Sequence, residues 1–198
     1  NHGEDAIFTI TPDAGYHIKD VLVDNVSVGA VGTYTFNNLD SDHTIHAEFE
    51  VNTYTLTVNV EGGGGVTKDP DQVSYDHGSK VSLTALADTG HHFTGWTGDV
   101  TGTLSPVTLT MDGDKSVTAF FALNTYTLKA SSSQGGAIDP SGEITANHGE
   151  DAIFTITPDA GYHISDVLID NSRALEVAED GPEALRAYVA SLRDALDA

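Results

Sequence analysis

Residues Asn1 to Ile18 read NHGEDAIFTITPDAGYHI, and the same eighteen letters return unchanged from Asn147 to Ile164. A third, divergent copy, DHGSKVSLTALADTGHHF, runs from Asp76 to Phe93 in the same frame. A duplication of this length does not arise by chance, so the chain is a repeat array with a period of about 72 residues. Every further expectation starts from these three copies.

Each copy has the pattern of a β-hairpin. Apolar and β-branched residues alternate from Ala6 to Thr11, which is typical of a strand. Pro12, Asp13 and Gly15 then form a turn, in which glycine supplies a positive φ that other residues resist. The second strand begins at Tyr16, so the sequence predicts the same hairpin three times.

The period divides the chain into three repeats and a tail. The pentapeptide Asn-Thr-Tyr-Thr-Leu opens a repeat at Asn52 and again at Asn124. Similarity to the first copy ends abruptly at Ser172. We predict four segments: incomplete repeat one without its first strands (1–51), complete repeat two (52–123), incomplete repeat three without its last strands (124–171), and an acidic linker with a helix (172–198).

The segments between the copies also favour strands. Asp24 and Asn25 tolerate the left-handed conformation and predict a two-residue hairpin turn. In the closing strand His43 to Phe49, apolar side chains fall on one face and polar ones on the other, as in a sheet with one buried face. We therefore predict an all-β chain of small antiparallel sheets in tandem, followed by one C-terminal α-helix.

That helix is predicted from capping and periodicity. Asp180 is a suitable N-cap, Pro182 suits the first turn, and Glu183 complements the helix dipole. The apolar residues that follow lie at helical spacing and would need a partner, either the open face of repeat three or another chain. These candidate interaction residues are Leu185, Tyr188, Val189, Leu192 and Leu196.

Composition excludes two classes of partner. Thirty acidic against eight basic residues give a formal net charge of −22, which repels nucleic-acid phosphates and anionic membrane surfaces. The sequence has no apolar run long enough to cross a bilayer, so we predict no membrane insertion. Cysteine is absent, which removes disulfides and thiolate metal sites.

Two sets of side chains are candidate metal ligands. Asp40, Asp42, Asp112 and Asp114 offer the hard oxygens that calcium prefers, but Asp in tight turns commonly binds its own backbone. Recurring histidines could hold zinc, although their positions also suit turn edges and solvent faces. The histidines recur in two matched sets: His2, His77 and His148, and His17, His92 and His163.

Trp96 admits two interpretations, an exposed ring that stacks on a sugar or a core residue. No nucleophile elbow, zinc-binding helix motif or other catalytic signature is present, so we predict that the chain is not an enzyme and needs no cofactor other than, at most, calcium.

Several segments together resemble a known family. These are GYHIKDVLVDNVSVG from Gly15, TYTF from Thr33, HTIHAEF from His43, HHFTGWTGD from His91 and MDGDKSVTAFF from Met111. They are similar to the divergent internalin-type B-repeats, also called Listeria-Bacteroides repeats, over residues 1–171. The resemblance implies extracellular surface proteins built from small β-rich modules related to the β-grasp class, without catalytic residues.

Three functions remain open at this point. The first is a structural stalk or adhesive segment at a cell surface, with a protein or glycan as partner. The second is a subunit of a head-to-tail filament, in which incomplete terminal repeats complete one another by strand or helix exchange. The third is a carbohydrate- or calcium-binding accessory module of a secreted enzyme.

Overall fold

The structure, a computed structural model, describes residues 3–169, 172–173 and 185–189. The described residues form β-strands and contain no helix, so they include no helix of the length and apolarity needed to span a membrane. They fall into two compact units, residues 1–87 with 93–121 and residues 88–92 with 122–198.

Repeat one forms a three-stranded antiparallel sheet and a separate strand pair. Strand β2 lies between β3 and β5, and β1 pairs with β4. Asp24 and Asn25 join β2 to β3 with φ of 50° and 64°, which confirms the predicted two-residue turn. The strands are β1 (Ala6–Thr9), β2 (Tyr16–Val23), β3 (Val26–Gly29), β4 (Thr33–Phe36) and β5 (Ile45–Val51).

Repeat two has two three-stranded sheets, in the orders β12-β10-β8 and β11-β13-β7, and the short pair β6-β9. Strands β13 and β7 run parallel, with Lys115 opposite Leu56 and Phe120 opposite Glu61. The strands are β6 (Thr53–Tyr54), β7 (Leu56–Glu61), β8 (Gly64–Asp69), β9 (Tyr75–Asp76), β10 (Lys80–Ala87), β11 (His91–Gly98), β12 (Val107–Thr110) and β13 (Lys115–Leu123).

The main hydrophobic core belongs to repeat two. Alternate residues of β10 and β13 point inward, which is the period of two that a sheet with one buried face requires. Burying each large apolar side chain of this kind contributes about 1.5–3 kcal/mol. The buried cluster consists of Tyr75, Val81, Leu83, Trp96, Val100, Leu109, Met111, Val117, Ala119 and Phe121.

Repeat three begins like repeat two but pairs differently. Strand β14 pairs antiparallel with β16 along its whole length, β17 lies between β15 and β20, and β18 pairs with β19. The strands are β14 (Thr125–Ala130), β15 (Gly136–Asp139), β16 (Gly142–Asn147), β17 (Ala152–Pro158), β18 (Leu168–Ile169), β19 (Ser172–Arg173) and β20 (Leu185–Val189).

The predicted C-terminal helix is not supported. Leu185–Val189 is a strand that pairs with β17, and it takes the position that β12 has beside β10: Val189 lies opposite Ala152 as Leu109 lies opposite Val81. The edge of β17 presents backbone N–H and C=O groups that need partners, and this demand outweighs the helical spacing of the side chains. Leu192 and Leu196 lie outside the described residues.

The all-β prediction is confirmed for the described residues, as tandem small sheets. The expected antiparallel pairing does not hold between β7 and β13, which run parallel. These are the first long strand and the last strand of a repeat, and they enter the same sheet in the same direction.

Candidate functional site: the junction between repeats

The hairpin turn of each copy has one geometry. In repeat one the N–H of Tyr16 donates to the carbonyl oxygen of Asp13 (3.0 Å), and Gly15 has φ of 81°. A residue with a Cβ is strained at this φ, so the glycine is required by the backbone. The other two turns repeat the bond and the angle: His91 to Asp88 (3.0 Å) with φ of 77° at Gly90, and Tyr162 to Asp159 (2.9 Å) with φ of 87° at Gly161.

The glycine of repeat one is also a packing surface for repeat two. A Cβ built on Gly15 would overlap the imidazole of His77, which lies directly over the turn. The ring of Tyr54 flanks the same imidazole, with ring centroids 5.9 Å apart. Only glycine permits this approach, so Gly15 serves the turn and the junction together.

Asn52 joins the two repeats through three hydrogen bonds. Its N–H donates to the carbonyl oxygen of Gly15 (2.8 Å), and its carbonyl oxygen accepts from the N–H of His77 (2.8 Å). Its side-chain Oδ1 lies 2.9 Å from Nδ1 of His17, a contact in which the imidazole N–H donates. We call the set Gly15, His17, Asn52 and His77 junction one.

Junction two repeats this arrangement with the equivalent residues Gly90, His92, Asn124 and His148. The N–H of Asn124 donates to Gly90 (2.7 Å), its carbonyl oxygen accepts from His148 (2.8 Å), and its Oδ1 lies 2.8 Å from Nδ1 of His92. A Cβ on Gly90 would overlap the His148 imidazole. The same atoms therefore make the same contacts twice.

The third copy of the turn has no such cover. Nothing among the described residues lies within 4 Å of the place where a Cβ on Gly161 would be. The neighbouring Tyr162 is 58% exposed. Within the described part of the chain, two of the three turns are therefore covered by the next repeat and one is open, which provides an internal control.

The two junction imidazoles differ in one respect. Nδ1 of His148 lies 3.3 Å from the hydroxyl of Tyr126. Nδ1 of His77 is buried and has no hydrogen-bond partner among the residues that the structure describes. A buried polar atom without a partner costs stability, so junction one is the weaker of the two by this contact.

The predicted calcium carboxylates are occupied by the protein itself in repeat two. Asp112 lies 2.6 Å from the Lys115 ammonium, which lowers the pKa of Asp112. Asp114 accepts hydrogen bonds from the N–H (2.8 Å) and the hydroxyl (3.0 Å) of Thr55, and these bonds lower the pKa of Asp114.

In repeat one the predicted carboxylates have weaker contacts. Asp40 accepts from the hydroxyl of Ser41 (3.3 Å), and Asp42 is exposed. Within the described ranges no group of three or more His, Cys, Asp or Glu side chains could hold a metal ion. Calcium binding stays a prediction, which a melting scan with and without millimolar calcium tests.

Trp96 is a core residue. It is 3% exposed, its indole N–H donates to the carbonyl oxygen of Leu104 (2.8 Å), and its ring centroid lies 5.0 Å from that of Phe93. A ring this deeply buried presents no face on which a sugar could stack. Of the other predicted interaction residues, Leu185, Tyr188 and Val189 lie on β20, and Leu192 and Leu196 lie outside the described residues.

The matched histidines were the part of the junction that the sequence made visible. Their positions predicted side chains at turn edges and on solvent faces, and the His17 side chain is 51% exposed. The roles of Asn52 and Asn124 were missed. Their signal is the repeated pentapeptide Asn-Thr-Tyr-Thr-Leu, which marked only a boundary until the contacts of its first residue were known.

Comparison with known proteins identifies the class of the chain. The model of one family, the divergent InlB B-repeat domain, matches residues 1–53, 54–125 and 126–175. Three tandem matches over most of the chain show that the protein belongs to this family, as the sequence motifs indicate. Searches of curated proteins and of solved structures found no match.

Proposed function

We propose that this chain is a non-enzymatic structural segment of an extracellular surface protein, in which tandem B-repeats form a stalk or an adhesive arm. The observation that supports the proposal best is the duplicated junction, in which one asparagine makes the same three hydrogen bonds at both boundaries. Linkers that only tether domains need no such repeated contacts.

The junction has the features of a mechanical connection. Each hydrogen bond contributes about 0.5–1.5 kcal/mol net, and the glycine–imidazole packing adds apolar burial. Two of the three bonds use the backbone of Asn52. They therefore fix the path of the main chain between the repeats and do not merely hold one side chain in place. Such a connection limits the freedom of one repeat relative to the next.

Charge and family membership favour the same function. The net charge of −22 keeps a chain well solvated and opposes association with anionic surfaces. The B-repeat family is not a known family of enzymes. A partner protein or glycan on the surface of such an arm remains part of the proposal.

The dynamics of repeats one and two test the proposal. Both repeats belong to one compact unit, apart from residues 88–92 and 122–123 of repeat two. In ¹⁵N relaxation of the full chain, we expect amides of both repeats to share one rotational correlation time. In the double variant Asn52→Pro, His77→Pro, which removes both backbone N–H donors and the Asn52 side-chain acceptor, the two repeats should reorient separately, while circular dichroism still shows folded sheets.

His163→Ala is the matched control, because this histidine follows the open turn and is exposed. It should leave the correlation times unchanged. If the double variant also kept a single correlation time, the junction would not carry the mechanical role, and the structural proposal would lose its main support.

A further inference from the structure

A serine, a histidine and an aspartate of repeat one are connected by side-chain hydrogen bonds. Nδ1 of His43 lies 2.7 Å from Oδ2 of Asp24, and Nε2 of His43 lies 3.3 Å from the hydroxyl oxygen of Ser41. Hydroxyl, imidazole and carboxylate therefore follow one another as in a Ser-His-Asp triad, which is recognised by geometry and not by sequence position. No sequence motif marks the three residues, because Asp24 belongs to the turn after β2 and the other two precede β5.

The Asp24 carboxylate fixes the tautomer of the imidazole. The hydrogen bond from His43 and the one from the N–H of Thr44 (2.8 Å) lower the pKa of Asp24, so this carboxyl is ionised at neutral pH. An ionised carboxylate only accepts hydrogen bonds, so Nδ1 of His43 carries the proton that Asp24 receives. The lone pair of Nε2 is left facing the hydroxyl of Ser41, which is the arrangement of a general base and its nucleophile.

An aromatic side chain from β4 restricts the imidazole further. Phe36 stacks on the ring of His43, with ring centroids 5.1 Å apart and ring planes 29° apart. Phe36 is itself in edge contact with Tyr34, with ring centroids 4.9 Å apart. The imidazole is therefore positioned by a carboxylate and by a ring before any substrate arrives.

Repeat two has the same framework without the base. Asp99 and Lys115 take the places of Asp24 and His43, because each pair lies nine residues after a turn glycine and nine residues before a junction asparagine. Nζ of Lys115 lies 3.7 Å from the carboxylate of Asp99. An ammonium group has no lone pair and accepts no proton, so Lys115 cannot replace His43 as a base.

The position of Ser41 is accessible in a repeat that includes its first strands. Gly113 takes the place of Ser41 in repeat two, eleven residues before the junction asparagine. Nothing among the described residues lies within 4 Å of the place where a Cβ on Gly113 would be. Ser41 is exposed as well. Access to this position is therefore a property of the turn and does not depend on where repeat one begins.

We propose that Ser41 is a nucleophile activated by His43 and Asp24, and that it accepts an acyl group from an activated carboxylic ester. The proposal goes beyond the structural role of the repeats and does not rest on it. The site is open on the surface and supplies little of the electrostatic stabilisation of an enclosed site. The suitable substrates are therefore esters with a good leaving group, such as a nitrophenolate.

The reaction is a single acyl transfer. The Ser41 oxygen attacks the carbonyl carbon of the ester while its proton passes to Nε2 of His43, and Asp24 stabilises the imidazolium that forms. The tetrahedral intermediate then expels the phenolate as the carbon–oxygen bond to the leaving group breaks. The phenolate takes the proton from Nε2, which leaves an ester on Ser41 and a free phenol. One acyl group is taken up per chain, which is compatible with a structural role.

A second acceptor lies beside the same hydroxyl. Oδ1 of Asp40 is also 3.3 Å from the hydroxyl oxygen of Ser41. A hydroxyl donates one proton, so Asp40 competes with Nε2 of His43 for it. Asp40→Ala should therefore not lower the rate of acylation, which separates the role of Asp40 from that of His43.

The test uses the full chain and p-nitrophenyl acetate, with acetylation at each serine followed by peptide mapping in a mass spectrometer. Ser27 is the control serine, because its hydroxyl donates to the carboxylate of Asp20 (2.7 Å) and so has a carboxylate partner in place of an imidazole. Ser41 should react about tenfold or more faster than Ser27. His43→Ala and Asp24→Asn should each slow Ser41 by about tenfold or more, since a general base contributes about 10²–10⁴-fold in enclosed sites.

A gain-of-function variant makes the test independent of any loss of folding. The double variant Gly113→Ser, Lys115→His places a hydroxyl and an imidazole beside Asp99, where the turn has room for a side chain. Position 113 of this variant should be acetylated about as fast as Ser41. Gly113→Ser alone should react no faster than Ser27.

Three results would overturn the proposal. The first is acetylation of Ser41 at the rate of Ser27, or at a rate that His43→Ala leaves unchanged. The second is a loss of rate in Asp40→Ala equal to that in His43→Ala, because the proton acceptor would then be Asp40. The third is a double variant in repeat two that reacts no faster than Gly113→Ser, because this turn would then not activate a serine.

Discussion

Repeats one and two share their closing strands but differ in how well those strands are covered. Leu83 and Phe121 of repeat two are 0% and 7% exposed, and their counterparts Phe8 and Phe49 in repeat one are both 43% exposed. Since the strand pairings of β1 and β4 repeat those of β10 and β12, the difference comes from the hairpin β7–β8. In repeat two the first strands therefore help to close the core.

The largest expected difference between the two repeats is in the free energy of unfolding lost when a core side chain is truncated. Leu83→Ala should lower the free energy of unfolding of repeat two by about 2–5 kcal/mol, because the cavity is fully enclosed. Phe8→Ala should cost repeat one only about 1 kcal/mol, because much of that ring is already in water. Urea unfolding of the full chain measures both free-energy changes. Equal costs would contradict the conclusion that Phe8 is less completely covered than Leu83.

A second comparison uses the three turns. Gly161→Ala should cost about 1–2 kcal/mol for the left-handed conformation alone. Gly15→Ala and Gly90→Ala should each cost about 1–3 kcal/mol more, because the added Cβ meets the imidazole of the next repeat. Thermal unfolding of the three variants measures these costs. Equal decreases in melting temperature would show that the imidazoles move aside without destabilising the junctions.

A smaller difference concerns acid stability. Asp114 accepts two hydrogen bonds from Thr55 at the start of the hairpin, and its pKa is lowered. Because the folded pKa lies below the unfolded one, this carboxylate stabilises the fold above about pH 4 and the contribution is lost as the pH falls through the folded pKa.

The acid-stability prediction has a matched control. Asp114→Asn should make unfolding free energies less dependent on pH between about pH 5 and 2. Asp42→Asn, at the matching turn of repeat one, removes an exposed carboxylate that accepts no hydrogen bond within the described residues, and it serves as the control. A profile of Asp114→Asn that overlaid the unmodified chain would show that the Thr55 contacts do not stabilise repeat two.

Much of this architecture could be predicted from the sequence because strands and turns are local. Alternation of apolar and polar residues located β1 and β5. The turn between β2 and β3 was predicted because Asp24 and Asn25 are residue types that tolerate positive φ. The parallel pairing of β7 with β13 could not be predicted, because it joins residues nearly sixty positions apart and depends on how two sheets pack.

The tail shows where local reasoning fails. Helical spacing and a plausible cap favoured a helix through Leu185 and Val189, yet this segment pairs with β17. An unpaired strand edge is a property of the assembled repeat and is not visible in the tail itself. The junction asparagines were missed for the same reason, since each gains its role only when two repeats meet.

The burial of Trp96 gives the molecule a built-in optical reporter. It is the only tryptophan in the chain, and it sits in the core of repeat two beside Phe93. Its fluorescence should therefore record the melting of that repeat alone, while circular dichroism averages over all three. Recording both signals in one titration would show whether the repeats unfold together or one after another.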